Sequence, residues 1–325
     1  MFEIIFLGTS ASAPSIRRGL PSAMVLHNEQ RFMIDCGEGT QRQLLQSGLG
    51  FKRLDKILLT HGHLDHILGL AGLLSTLLRW ETLEEFQIYG GRAALERVED
   101  LIYKIVLRDA KSAMKLHFND VKPGKLFSDK SFELSAFPVT HRGSGNFGYL
   151  FREEPHRPFL ADKAEALGVP FGPERKLLVA GQSIELADGR VIQPDEVLGD
   201  IIEGAALAVV GDAARVDNLV EPVRGVDALI IEATYCAVEA ELAEAYGHLT
   251  ATQAAQLARD AGVKQLILTH ISRRYAEREV LSEARAIFPE TLVARDFDHY
   301  RIQKDKTAQR VIAAPAEEEL NNVHA

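Results

Sequence analysis

Six short runs of β-branched and apolar residues punctuate this chain, and five of them carry a histidine or a carboxylate at or near their C-terminal end. They are FEIIFLG at 2–8, KILLTH at 56–61, FELSAFPVTH at 132–141, ALAVVGD at 206–212, DALIIEAT at 227–234 and QLILTH at 265–270. Each is too short for a core helix and reads as a buried strand. Helical patterns lie between several of them, notably 250–262, where Thr250 is placed to cap the N-terminus and Gly262 to follow the C-terminus. Alternating strands and helices give an α/β class, and open α/β sheets build their sites at strand ends. His61, His141, Asp212, Glu232 and His270 therefore stand where a site is assembled.

The densest signal is Thr60-His61-Gly62-His63-Leu64-Asp65-His66, between a predicted strand and a predicted helix. Four potential ligands within six residues are hard to explain as packing. Imidazole nitrogens and a carboxylate on a tight turn can converge on a divalent cation such as zinc, and the His-x-His alternation sends two rings to one side.

Composition narrows the class further. With 325 residues and 46% hydrophobic content the chain can bury a large core. It holds no run of eighteen apolar residues, and its first residues, MFEIIFLGTSASAP, lack the basic segment of a signal peptide. These features predict a cytosolic protein, with Cys36 and Cys236 as free thiols. A net charge of −9 excludes binding of nucleic acid through bulk positive charge, so any RNA contact must be local. The segment 152–200 breaks the strand–helix rhythm with five prolines and reads as an inserted subdomain or arm; 305–325 reads as a frayed tail.

The His-x-His-x-Asp-His cluster resembles the signature of the metallo-β-lactamase superfamily. FLGTSASAPSIRRG, DCGEGTQRQL, FGYLFR and YGHLTATQAAQLARDAGVKQLILTHISRRY extend a resemblance to the ribonuclease Z family across most of the chain. The resemblance implies a four-layer αββα sandwich formed by 1–151 and 201–304, with 152–200 as a flexible arm gripping the tRNA elbow. It implies that His61, His63, His141 and Asp212 hold one metal and Asp65, His66, Asp212 and His270 a second, with Asp212 bridging. His at 63, where iron-using relatives carry Glu, favours two Zn2+ per subunit.

The same resemblance makes Glu232 and His248 a proton-donating pair and has Asp65 orient the attacking water. The His that usually precedes this Glu is Ile231 here. Arg17 and Arg18 are implied as contacts to the substrate's 3′ region, and Gly172-Pro173 as the arm's signature; Arg273 and Arg274, a few residues after His270, are expected by that position to face the RNA backbone near the scissile bond. Between Arg152 and Lys176 the arm balances five Arg or Lys against five Asp or Glu, so shape and backbone contacts are expected to carry part of its binding. The expected activity is removal of the 3′ trailer from precursor tRNA by a homodimer acting without a membrane. The rival readings are a hydrolase of small phosphodiesters or sulfate esters with the same fold, and a non-catalytic RNA-binding subunit.

Overall fold

The computed structural model describes residues 1–80, 83–108, 110–112 and 114–311. They fall into two compact units, one comprising 1–152 and the chain from 205 onward, the other 153–204.

The larger unit is built on two sheets. The eight-stranded sheet runs Gln309–Arg310, His299–Ile302, Phe2–Gly8, Ser22–His27, Gln30–Ile34, Lys56–Leu58, Glu85–Gly90, Lys115–Asp120. The seven-stranded sheet runs Thr291–Val293, Leu266–Thr269, Ala228–Glu232, Ala206–Val209, Phe147–Glu153, Phe132–Pro138, Gly124–Ser128. Residue alternation along the strands decides what each face covers. Phe2, Ile4 and Phe6 from the first sheet share one buried cluster with Phe132, Tyr149 and Leu207 from the second, so the sheets pack face to face. Ile5, Leu7 and Met33 turn to the opposite side, against Leu70, Leu73 and Leu77 of helix Gly69–Trp80. Leu229, Ile231 and Leu268 likewise turn outward from the second sheet, against Ala254, Leu257 and Ala258 of helix Ala251–Asp260. The layers are helix, sheet, sheet, helix, as expected, and each fully buried Phe or Leu side chain contributes ~1.5–3 kcal/mol to holding them.

The expected helix start is formed by a reciprocal cap. The Thr250 hydroxyl accepts from the Gln253 amide at 3.2 Å, and the Gln253 side chain accepts from the Thr250 amide at 2.9 Å. The expectation of a frayed tail over 305–325 is corrected at its beginning: Arg310 and Gln309 pair with Tyr300 and Arg301, extending the first sheet by one strand. The remainder of that tail, 312–325, lies outside the described residues.

The unit 153–204 has its own small core of Ala164, Val169, Leu178, Ile184, Ile192 and Val197. Helices Ala161–Ala166, Pro173–Val179 and Pro194–Val197 surround a two-stranded hairpin, Ile184–Glu185 with Val191–Ile192. Arg157 ties its ends, donating from Nε to the Gly199 carbonyl at 2.7 Å and pairing with Asp195.

Candidate metal centre

The strand Lys56–Leu58 stops before Thr60, so the His61–His66 segment leaves the first sheet as a loop that becomes the short helix Leu64–Ile67. The second sheet delivers its residues from the ends of neighbouring strands: Asp212 beyond Ala206–Val209, Glu232 at the end of Ala228–Glu232, and His270 just past Leu266–Thr269. These pieces converge. Donor atoms of His61, His63, His141 and Asp212 lie within 4.8 Å of one another, as do those of Asp65, His66 and His270. Asp212 faces both groups. Its Oδ2 is 3.6 Å from His61 Nε2 and 3.9 Å from His141 Nε2, while its Oδ1 is 3.5 Å from His66 Nε2 and 3.4 Å from His270 Nε2. Gly211 permits the approach, since a Cβ there would stand 2.5 Å from the Thr60 hydroxyl.

What fits a metal to these residues is the division of labour between ring nitrogens. The inner Nε2 atoms of His61, His66 and His270 and the Oδ1 of Asp212 are buried with no hydrogen-bond partner, a costly state unless a cation meets them. The outer nitrogens of His61, His66, His141 and His270 are engaged. His66 Nδ1 lies 2.7 Å from Asp35 Oδ2, His141 Nδ1 donates to the Gly247 carbonyl at 2.8 Å, and His61 Nδ1 lies 3.0 Å from Thr60 Oγ1. Thr60 in turn donates to Asp35 from both its hydroxyl and its amide, at 2.7 and 2.8 Å. His270 Nδ1 lies 2.8 Å from Thr234 Oγ1, whose hydroxyl donates to Glu232. Such outer partners fix the ring orientation and raise the basicity of metal-binding histidines.

Asp35, Thr60 and Thr234 are the functional residues that the sequence reading leaves out. Asp35 had the same signal as the others, a carboxylate closing the apolar run RFMID. Both Asp35 and His270 sit at positive φ, 54° and 56°, a left-handed conformation that side chains rarely adopt and that their hydrogen bonds must hold.

Glu232 is fully buried. Its Oε1 accepts from the Ala213 amide at 2.8 Å and from His248 Nδ1 at 3.0 Å. Burial alone would lower the His248 imidazole; the Glu232 carboxylate outweighs it and pushes the ring up to about 9, so it is protonated at neutral pH. The Nδ1 of His248 is engaged by Glu232 and stands 3.8 Å from Asp212, and His248 also falls within ligand distance of Asp212 and His270. Burial opposes ionisation of Asp212 and Asp65 too, and surrounding imidazoles overcome it in both, holding each carboxyl below its usual range.

The remaining predicted residues divide. Arg17 is exposed, whereas the Arg18 guanidinium reaches Thr9 at 2.6 Å, the Ala294 carbonyl at 2.5 Å and Glu277 at 3.1 Å, fixing its loop to the body. Arg274 is exposed and pairs with Glu239 at 3.1 Å. In the other unit Gly172, at φ 149°, opens helix Pro173–Val179 with Pro173 in its first turn. Among the described residues no helix is long and apolar enough to cross a membrane.

Residues 174–271 match the family described as a beta-lactamase superfamily domain, and residues 2–163 the family described as anti-Pycsar protein Apyc1. A ribonuclease Z of Bradyrhizobium sp. is 45% identical over 302 residues, which span 93% of this chain and 100% of that protein. The ribonuclease Z of Bradyrhizobium diazoefficiens is 44% identical over 92% of this chain and 99% of its own. Among solved structures, the short form of human tRNase Z is similar at 25% identity with a TM-score of 0.64, covering 92% of this chain and 99% of that one.

Proposed function

This chain belongs to the ribonuclease Z family, and from that premise and the paired ligand sets we propose that it is a metal-dependent endoribonuclease that removes the 3′ trailer from precursor tRNA. The cut falls after the discriminator nucleotide and leaves a tRNA 3′-hydroxyl and a trailer 5′-phosphate. His61, His63, His141 and Asp212 would hold one zinc ion and Asp65, His66, Asp212 and His270 a second; the buried, unpartnered Nε2 and Oδ1 atoms support this. Bound there, the ions supply a nucleophile at neutral pH and neutralise charge on the phosphodiester.

The chain's own groups carry the protons. Asp65, whose Oδ2 also accepts the Ser12 amide at 3.1 Å, is fixed at the rim to orient the attacking water. His248, charged by its contact with Glu232, gives its proton to the departing 3′ oxygen. That pair is the observation that carries the reading, because an alkoxide leaving from ribose needs an acid. Arg17 and Arg274 approach the RNA backbone, with Arg18 anchoring the loop that presents Arg17. The arm, with Gly172 and Pro173, grips the tRNA elbow, and the enzyme works as a homodimer in the cytosol.

The test is cleavage of a 3′-extended precursor tRNA with mapped ends, with Asp212→Ala and a chelator as controls. A cut after the discriminator that both controls abolish is the expected result. Metal-dependent turnover of a small chromogenic phosphodiester without any cut in tRNA would hand the site to the rival hydrolase.

A further inference from the structure

The turn that follows helix Ala240–Tyr246 does several things at once. Its Gly247 carbonyl holds the ring of His141, and its His248 is the partner of Glu232. The residue just before, Tyr246, is 50% exposed, and the Arg142 guanidinium lies over its ring, 5.4 Å from the centroid. Arg142 is fixed in that position by donating from Nη2 to the Ala245 carbonyl at 2.7 Å, where the C-terminal end of the helix favours a cation.

Among the described residues, Arg142 has no carboxylate within ion-pair distance. Two other exposed arginines near the centre are paired: Arg215 stands 3.3 Å from Asp217, and Arg274 3.1 Å from Glu239. An aromatic ring backed on one face by an uncompensated guanidinium, beside a centre that handles a phosphodiester, matches the physics of a nucleobase platform. The π-face takes a base of any kind, and the cation polarises the stack and attracts the strand.

We propose, building on the ribonuclease reading above, that Tyr246 backed by Arg142 stacks the base of the nucleotide whose 3′ oxygen departs, the discriminator. The side follows from the acid. His248 hands its proton to that oxygen and stands two residues from Tyr246 on the same turn, so the nucleoside bearing the oxygen falls on the Tyr246 side. The trailer's first nucleotide lies across the phosphorus from it. Stacking without edge contacts makes the site tolerant of which base is present and intolerant of its absence.

The experiment compares kcat/KM on two precursor tRNAs, one intact and one abasic at the discriminator, for wild type, Tyr246→Ala and Tyr246→Phe. Wild type is expected to lose about 10- to 100-fold on the abasic substrate, the span of one base–aromatic stack. Tyr246→Ala is expected to lose as much on the intact substrate and nothing further on the abasic one, while Tyr246→Phe keeps the sensitivity to base removal. A Tyr246→Ala enzyme that falls on both substrates and still discriminates between them would show a merely structural role and overturn the proposal. So would a wild type that cuts at the expected site and ignores the missing base, which leaves the ribonuclease reading standing. Failure of wild type to cut the intact precursor there removes both.

Discussion

The arm unit and the metal centre keep their shapes by different means. In 153–204, six buried aliphatic side chains and one well-tied arginine organise some fifty residues, and the surface around them is charged and open, with Phe171 91% exposed beneath the Arg175 guanidinium. At the centre the buried groups are polar, and each of His61, His66, His141 and His270 is held from behind by a specific oxygen. A small apolar core tolerates adjustment because dispersion contacts are many and weak. A buried polar network does not, because every unmet donor or acceptor costs the full desolvation penalty. The first suits the role proposed above for the arm, adapting to a folded RNA; the second suits donors that are to meet a metal ion.

Four measurements sharpen or break that contrast. Asp212→Ala removes the carboxylate shared by both ligand groups and should lower turnover about 10⁴-fold, the equivalent of several kcal/mol of lost charge stabilisation; assay on precursor tRNA with metal analysis of the purified variant decides it. His248→Ala should cost about 10³-fold as the acid is lost. The sign of its pH dependence follows from Glu232, which holds the imidazole charged to about 9, so wild-type turnover falls as pH rises through 9 and the variant lacks that alkaline limb. Asp35→Asn keeps the shape but weakens the acceptor behind His66 and Thr60, and should reduce metal affinity about 10- to 100-fold in a chelator competition.

The smallest effect is expected in the arm. Leu178→Ala opens its core and should raise KM for precursor tRNA about tenfold, or ~1.4 kcal/mol of binding, with metal content at the wild-type level. If that variant also lost metal, the two regions would not be independently ordered and the contrast would fail.

Much of the site was legible because strands alternate and end abruptly. His61, His141, Asp212 and His270 each close a run whose apolar residues had to be buried, so their own polarity marked the strand ends. The outer partners were not legible. Asp35 and Thr60 are separated by 25 residues and meet only because the strands Gln30–Ile34 and Lys56–Leu58 lie parallel and adjacent. Thr234 reads as an ordinary strand-end threonine until His270 is folded against it. The strand Gln309–Arg310 was hidden for a related reason: two residues carry no periodicity, and only their pairing with His299–Ile302 makes them a strand.

Gly211 sets a tolerance for the whole centre. It stands beside the one carboxylate common to both ligand groups, and its missing Cβ would fall 2.5 Å from the Thr60 hydroxyl that steadies His61. The two sheets thus close on each other like the jaws of a calliper with a hydrogen atom between them. Alanine at 211 would act as a shim, changing the spacing between the two clusters of His and Asp donors without altering any residue in them.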